Sequence, residues 1–307
     1  MQHYYSLDGV FLKDAWLTIG TFDGVHSGHQ AILRKMTEEA HQNHAPAVVL
    51  TFHPRPALVL GKKQGSYYLT DPEERAELIA QLGVDVVVTY PFSLQVAGRS
   101  AIDFIEELHN HLQMKMIWAG PDFAMGRNRE GDLNTLRRLG DTFGFQLKVS
   151  DHITIGDELI SSTRIRSLLE EGAVAEVNRM LGRTYQVRGK VIPGDGRGRT
   201  IGIPTANLDV WPEKQLPKPG VYVCQAHLTQ ALNGAVVNVG YRPTFETRKE
   251  RPLVEAHLLD LDVDLYGQVI QLDFIERLRD EQRFPSVPAL VEQIERDIVQ
   301  TRAILNN

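Results

Sequence analysis

Residues 16–30 read WLTIGTFDGVHSGHQ. A short apolar run, 16–22, enters a glycine-bearing turn, and a helix is expected to begin near Ser27 with His26 and His29 at its start. Gly20, Gly24 and Gly28 let the backbone approach a ligand closely. A helix N-terminus aims amide donors at an anion, so the string reads as a phosphate-type site at the C-terminal edge of a parallel strand. Two imidazoles there can donate hydrogen bonds to a polyphosphate and to charge that develops during transfer. A zinc pair or two surface histidines is the bland alternative, and the flanking glycines argue against it. The P-loop spacing GxxxxGK[ST] is absent, so this is not a Walker site.

Working outward, strand and helix patterns alternate. The run AVVLTF at 47–52 is a buried strand, closed by HPRP, which cannot continue as a regular element. Residues 71–82 read as a helix, with Asp71 as cap, Pro72 in the first helical position and Glu74 three after the cap. Further strands are expected at 84–90, 114–119 and 145–149, and helices at 101–112 (Ile102, Ile105, Leu108, Leu112) and 132–143. Repeated βα units predict an α/β unit with a doubly wound parallel sheet. Beyond residue 183 the period changes. Runs at 186–192, 220–228, 235–239, 253–260 and 269–275, separated by Gly, Pro and Asn, predict a small antiparallel β-barrel. A terminal helix follows, with Val287, Leu290, Val291, Ile294 and Ile298 on one face. The switch places one domain at 1–183 and a second at 184–307.

Composition agrees. At roughly 150 residues per domain, 307 residues suggest two domains. Hydrophobic residues at 42% and charged residues at 23% argue against disorder, collagen-like repeats and coiled coils. Lys+Arg at 33 against Asp+Glu at 39 leaves −6, a poor balance for non-specific nucleic-acid binding. The single cysteine, Cys224, excludes an intramolecular disulfide and a cysteine zinc cluster, and fits a reducing cytoplasm. The opening residues do not read as a secretory signal, and no membrane span is expected, since no apolar run reaches about 18 residues. Oligomeric state is not legible.

Four more stretches carry chemistry. ISSTRIR at 160–166 offers the hydroxyls of Ser161, Ser162 and Thr163 at a helix start, with Arg166 three residues after Thr163. TFHPRP at 51–56 follows a strand end, and GPDFAMGR at 120–127 leads into REGD at 129–132. GKVIPGDGRGRTIGIPTAN at 189–207 is a glycine-rich flap able to turn backbone N–H groups on phosphates. In VEAHLLD at 254–260, alternation puts Glu255 and His257 on one face of a strand. His257 is read as a hydrogen-bonded strand histidine, and Cys224 as a buried small apolar residue.

The first string resembles the HxGH motif of nucleotidyltransferases, and ISSTRIR resembles the motif that closes the same site. TFHPRP and GPDFAMGR…REGD are similar to loops of prokaryotic FMN adenylyltransferases, with Met125 where the family usually has an aromatic. The flap with PTAN, VEAHLLD, DLYG at 264–267, NVGYRPTF at 238–245 and RDEQRFPS at 279–286 resembles riboflavin kinases. The resemblance runs from about residue 3 to 303, in the motif order of the bifunctional riboflavin kinase/FMN adenylyltransferase family.

That resemblance implies adenylyl transfer assisted by His26, His29 and Arg166. Nucleotide would be bound by Gly20, Phe22, Asp23, Gly24, Gly28, Ser161, Ser162 and Thr163, and flavin by His53, Pro54, Pro56, Asp122 and Phe123. In the kinase half it implies phosphate contacts from Gly194, Gly196 and Gly198, Mg2+ held through Thr205 and Asn207, Glu255 as base, and flavin contacts from Arg279 and Phe284. ATP would be the co-substrate, and riboflavin, FMN and FAD the other small molecules. A single-activity enzyme and a flavin-binding regulator without turnover are the competing readings.

Overall fold

The computed structural model describes residues 1–61, 67–150, 154–155, 158–194, 196, 198, 201–228, 231–241, 252–261 and 263–306. The chain divides into two compact units, Met1–Ser162 and Thr163–Asn307.

The first unit is built on β1 (Gln2–Tyr4), β2 (Trp16–Ile19), β3 (Ala47–His53), β4 (Val86–Pro91), β5 (Met116–Ala119) and β6 (Gln146–Val149). They form one sheet, ordered β1-β4-β3-β2-β5-β6, in which every pairing is parallel. Helices α1 (Ser27–Gln42), α2 (Pro56–Val59), α3 (Pro72–Ala80), α4 (Leu94–Ala97), α5 (Ala101–Leu112) and α6 (Leu133–Phe143) intervene. Alternate strand residues feed two cores. Leu17, Ile19, Val48 and Leu50 pack with Ile105 and Leu108 of α5, whereas Trp16, Val49 and Val87 pack with Leu33 of α1 and Ile79 of α3. Both faces are thus covered, as parallel pairing requires. After β2 the chain builds toward β4 on one side, then returns to place β5 and β6 on the other. The reversal at β2 makes a crevice at the strand ends, where ligands bind in open α/β sheets.

Local signals held where their physics was local. The Asp71 carboxylate accepts from Glu74 N at 2.7 Å, with Pro72 in the first turn. HPRP does end β3, but Pro56, preset for a first helical position, opens the short helix α2. In α5 the buried stripe runs through Ala101, Phe104, Ile105, Leu108 and Leu112, leaving Ile102 49% exposed. Strand β1 has no apolar alternation and is held through its edge pairing with β4. A two-stranded pair, β7 (Thr154–Ile155) and β8 (Glu158–Leu159), precedes the end of the unit.

The second unit opens with α7 (Ser162–Glu171) and α8 (Val174–Leu181). It continues as β9 (Tyr185–Ile192), β10 (Ala206–Val210), β11 (Gly220–His227), β12 (Leu232–Gly240), β13 (Leu253–Leu258) and β14 (Val269–Arg279), closed as β10-β13-β12-β11-β14-β9. Every pairing in it is antiparallel. Closure removes sheet edges and fills the interior with alternate residues such as Val187, Leu208, Val237 and Ala256, all buried. Strand β10 was not read from sequence, because PTAN looks like a turn. Ala206 and Asn207 in fact pair with Ala256 and Glu255.

The change of period near residue 183 marks where strands begin, while the compact division falls at 162/163. Helices α7 and α8 fold with the barrel: Lys218 N donates to Leu169 O at 2.8 Å, and Asn178 both donates to Phe274 O at 2.8 Å and accepts from Tyr185 N at 2.7 Å. The terminal helix α9 (Val287–Leu305) is capped by Ser286. Ile298 packs on Val221, Val236 and Leu259, but Val287 is exposed.

Candidate active sites

The first site begins where β2 ends. The turn holds three residues in the left-handed region, Phe22 (φ 44°), Gly24 (φ 80°) and Val25 (φ 38°), of which only Gly24 takes that region without steric cost. Gly20 lets the Phe22 ring fold back over it, since a Cβ there would lie 2.9 Å from that ring. The turn is gripped from outside. Thr21 O accepts from Thr51 Oγ1 at 3.0 Å and from Arg75 Nη1 at 2.8 Å, and Gly24 N donates to Thr70 Oγ1 at 3.1 Å.

Helix α1 then starts with His26 as its cap, His26 Nδ1 accepting from His29 N at 3.3 Å. With Nδ1 an acceptor, a neutral His26 ring carries its proton on Nε2. The rings of His26 and His29 stack at 3.5 Å between centroids, and Phe22 stands edge-on to His29 at 5.2 Å. Burial, then His26 and Arg55, hold His29 well below the usual imidazole range. Two stacked imidazoles beside a helix N-terminus form a site suited to an anion.

Asp23 lies within the turn. Fully buried, its carboxylate accepts from Arg55 Nη1 at 2.5 Å, Leu69 N at 3.0 Å and Thr70 N at 3.2 Å, so it ties the turn to the segment before α3. Its carbonyl accepts from Ser162 Oγ at 2.8 Å, which brings Ser162 to the turn. Ser161 precedes α7, Thr163 is exposed, and Arg166 is buried on the same helix. Gly28 is buried on α1.

The loops read as flavin contacts lie in the same unit. His53 ends β3, its ring 5.6 Å from Tyr68, and Pro54 and Pro56 follow it. Phe123 and Met125 are partly buried against the α5 core, and Asp122 is exposed. Met125 bridges Gly131 in antiparallel fashion, and Glu130 accepts from Ala101 N at 3.0 Å, fixing this loop to the start of α5.

The second site lies on the outer face of the barrel. Asn207 on β10 pairs with Glu255 on β13, which pairs with Asn238 on β12. All three are partly exposed and alternate with buried Ala206, Leu208, Val254, Ala256, Val237 and Val239. His257 shares the face of Glu255, and its Nδ1 lies 2.8 Å from Pro204 O, which anchors the residue before Thr205. The glycine flap lies against this row. A Cβ on Gly194 would come within 2.1 Å of Asn207 Nδ2, and one on Gly198 within 2.3 Å of Ile203 O and 3.3 Å of Thr205 Oγ1. Gly196 (φ 70°) faces open space.

Arg279 lies in the same transverse row, opposite Val221, but its guanidinium grips buried Asp297 at 2.7–3.1 Å and stands 5.8 Å from the Phe284 ring. Residues 242–245 of the NVGYRPTF stretch lie outside the described residues. Among the described residues, no group of three His, Cys, Asp or Glu could hold a metal. The oxygens of Asn207 and Thr205, closely approached by Gly194 and Gly198, are hard donors that suit a divalent cation whose remaining ligands come from phosphates.

The first half matches the family described as FAD synthetase over residues 10–164, and the second half the riboflavin kinase family over 181–305. A bifunctional riboflavin kinase/FMN adenylyltransferase of Escherichia coli (strain K12) is 37% identical, covering 93% of this chain and 91% of that protein. The chain belongs to the bifunctional riboflavin kinase/FMN adenylyltransferase family. A Listeria monocytogenes member is 35% identical over 94% of this chain and 91% of its own. A crystal structure from Streptococcus pneumoniae, described as a macrolide-efflux protein, superposes with a TM-score of 0.87 at 30% identity, covering 98% of each chain. Among the described residues, no helix here is long and apolar enough to cross a membrane. ATP-using members of such a family generally need a divalent metal.

Membership makes the supporting residues of the first site informative. Thr51, Arg55, Thr70 and Arg75, all buried, hold the turn of this adenylyltransferase-family unit; Thr51 and Arg55 lie within TFHPRP, whereas Thr70 and Arg75 belong to none of the quoted motifs. A signal for Arg75 existed: helical spacing places it with Ala76 and Ile79 on the buried face of α3.

Proposed function

We infer that this protein makes FAD in two steps, with a kinase region at 184–307 and an adenylyltransferase region at 1–183. In the first step a ribityl hydroxyl of riboflavin attacks the γ-phosphorus of ATP, giving FMN and ADP. Glu255 accepts the hydroxyl proton, and the flap backbone at Gly194, Gly196 and Gly198 cradles the phosphates. Thr205 and Asn207 would hold Mg2+, which when bound neutralises phosphate charge. Arg279 acts through Asp297 and the Phe284 ring to shape the flavin side.

In the second step an FMN phosphate oxygen attacks the α-phosphorus of ATP and pyrophosphate leaves. No covalent enzyme intermediate is needed, because the phosphate is itself the nucleophile. The task is orientation and charge stabilisation. His26, His29 and the first amides of α1 donate to the polyphosphate, with Arg166 as a further cation. Ser161, Ser162 and Thr163 bound the nucleotide site, while Gly20, Phe22, Asp23, Gly24 and Gly28 shape its backbone. His53, Pro54, Pro56, Asp122 and Phe123 border the flavin. Composition with one cysteine suits a reducing cytoplasm.

The observation that carries this reading is the register of Asn207 beside Glu255 in a chain whose other half stacks His26 on His29. Incubation of the protein with riboflavin, ATP and Mg2+, followed by chromatography, tests it. FMN followed by FAD is expected. FMN alone would leave a kinase, and binding without turnover would leave a flavin-binding protein.

A further inference from the structure

We propose that Arg75 is a positioning residue for adenylyl transfer, pinning the Thr21 carbonyl beneath the turn and supplying positive charge behind it. The proposal rests on the adenylyltransferase reading of the first unit. Arg75 is completely buried on α3. Its Nη1 donates to Thr21 O at 2.8 Å, and Thr51 Oγ1 donates to the same oxygen at 3.0 Å. Both acceptor positions of that carbonyl are therefore used from outside the turn. The peptide so fixed leads straight into Phe22 and Val25, whose φ of 44° and 38° persist only where the surroundings over-determine them.

The rest of the guanidinium points to a second task. Its Nε and Nη2 are buried with no hydrogen-bond partner among the described residues. An apolar side chain of similar length would fill the same space without stranding two donors, so packing alone does not account for an arginine here. Asp23 and, more weakly, Asp71 offer it nearby opposite charge, but the Asp23 carboxylate already accepts from Arg55, Leu69 N and Thr70 N, and Asp71 from Glu74 N. A cation only partly answered, under a turn built for an anion, raises the local potential in the sense a polyphosphate requires. Because the guanidinium nitrogens are buried, this acts through the turn and through the field rather than by contact with substrate.

The test uses the full-length protein and follows FAD formation from FMN and, separately, FMN formation from riboflavin. Arg75→Met should lower kcat for adenylylation by about 10²-fold, the scale of a misplaced site. KM for ATP should change by less than about threefold, the signature of an interaction realised mainly in the transition state. Arg75→Lys, which keeps the charge, should recover about tenfold of that loss, and Thr51→Val, which releases the other bond to Thr21 O, should cost about three- to tenfold. Phosphorylation of riboflavin should stay within about twofold throughout, since Arg75 lies outside the kinase region. Should Arg75→Met fail to fold and lose both activities, Arg75→Lys and Thr51→Val decide by the same readouts. A wild-type kcat in Arg75→Met, or normal rates in both Arg75→Lys and Thr51→Val, overturns the proposal. If the unaltered protein makes no FAD from FMN, the adenylyltransferase reading itself fails, and that outcome is distinct from any variant's.

Discussion

The two candidate sites are built in opposite ways. In the first unit the candidate site rests on backbone: a turn with two non-glycine residues at positive φ, held by buried Thr51, Thr70, Arg75 and Asp23, precedes a helix capped by His26. In the second it rests on side chains in register on regular strands, Asn207 beside Glu255, closely approached by Gly194. A strained turn needs buried support to keep its geometry. A strand row is already rigid through its hydrogen bonds, so only the cover over it must stay slim. The first site should therefore be broken from behind, and the second from above.

The largest expected effect is at the strand row. Glu255→Gln keeps size and hydrogen bonding but cannot take a proton, so kcat for FMN formation should fall by about 10²–10⁴ while FAD formation from supplied FMN persists. Single-turnover phosphorylation at saturating ligand measures this, and a normal rate would leave Glu255 an orienting group only. At the turn, His26→Ala or His29→Ala should raise the barrier to FAD formation by roughly 2–4 kcal/mol and spare the kinase. Equal loss of both activities would instead signal one shared site or a fold defect. For the flap, Gly194→Ala puts a Cβ where the Asn207 amide lies, 2.1 Å away, and should raise KM for ATP in the kinase step by about tenfold. Unchanged KM would mean that the flap stands clear of Asn207 in the working enzyme.

The smallest effect concerns pH. His29 titrates well below its ordinary 6.5 in the folded protein because it is buried beside His26 and Arg55. As pH falls below 6.5, the unfolded chain takes up a proton that the folded chain does not, so stability declines, by at most about 1.4 kcal/mol per pH unit. His3, also lowered chiefly by burial, adds in the same direction. His29→Gln should flatten the decline in denaturation midpoint between about pH 6.5 and pH 5, and an unaltered slope would show that His29 is protonated when folded.

Much of this was legible in the chain because the relevant physics is local. Caps such as Asp71, the alternation that buries Val254 and Ala256 and sets Glu255 outward, and the glycine-histidine string after β2 depend on neighbours a few residues away. What only tertiary structure decided involves partners far apart in sequence. PTAN became half strand because Asn207 pairs with Glu255, and α7 and α8 joined the barrel because Asn178 and the Leu169 carbonyl found partners there, Lys218 N for Leu169 O. The Asp23 carboxylate found Leu69 N and Thr70 N, Arg279 found Asp297, and Arg75 reached Thr21 across 54 positions. A residue's type and spacing determine what chemistry it can do. Which carbonyl, carboxylate or anion it meets is set by packing, since burial makes an unanswered polar group costly and so selects its partner from the whole fold.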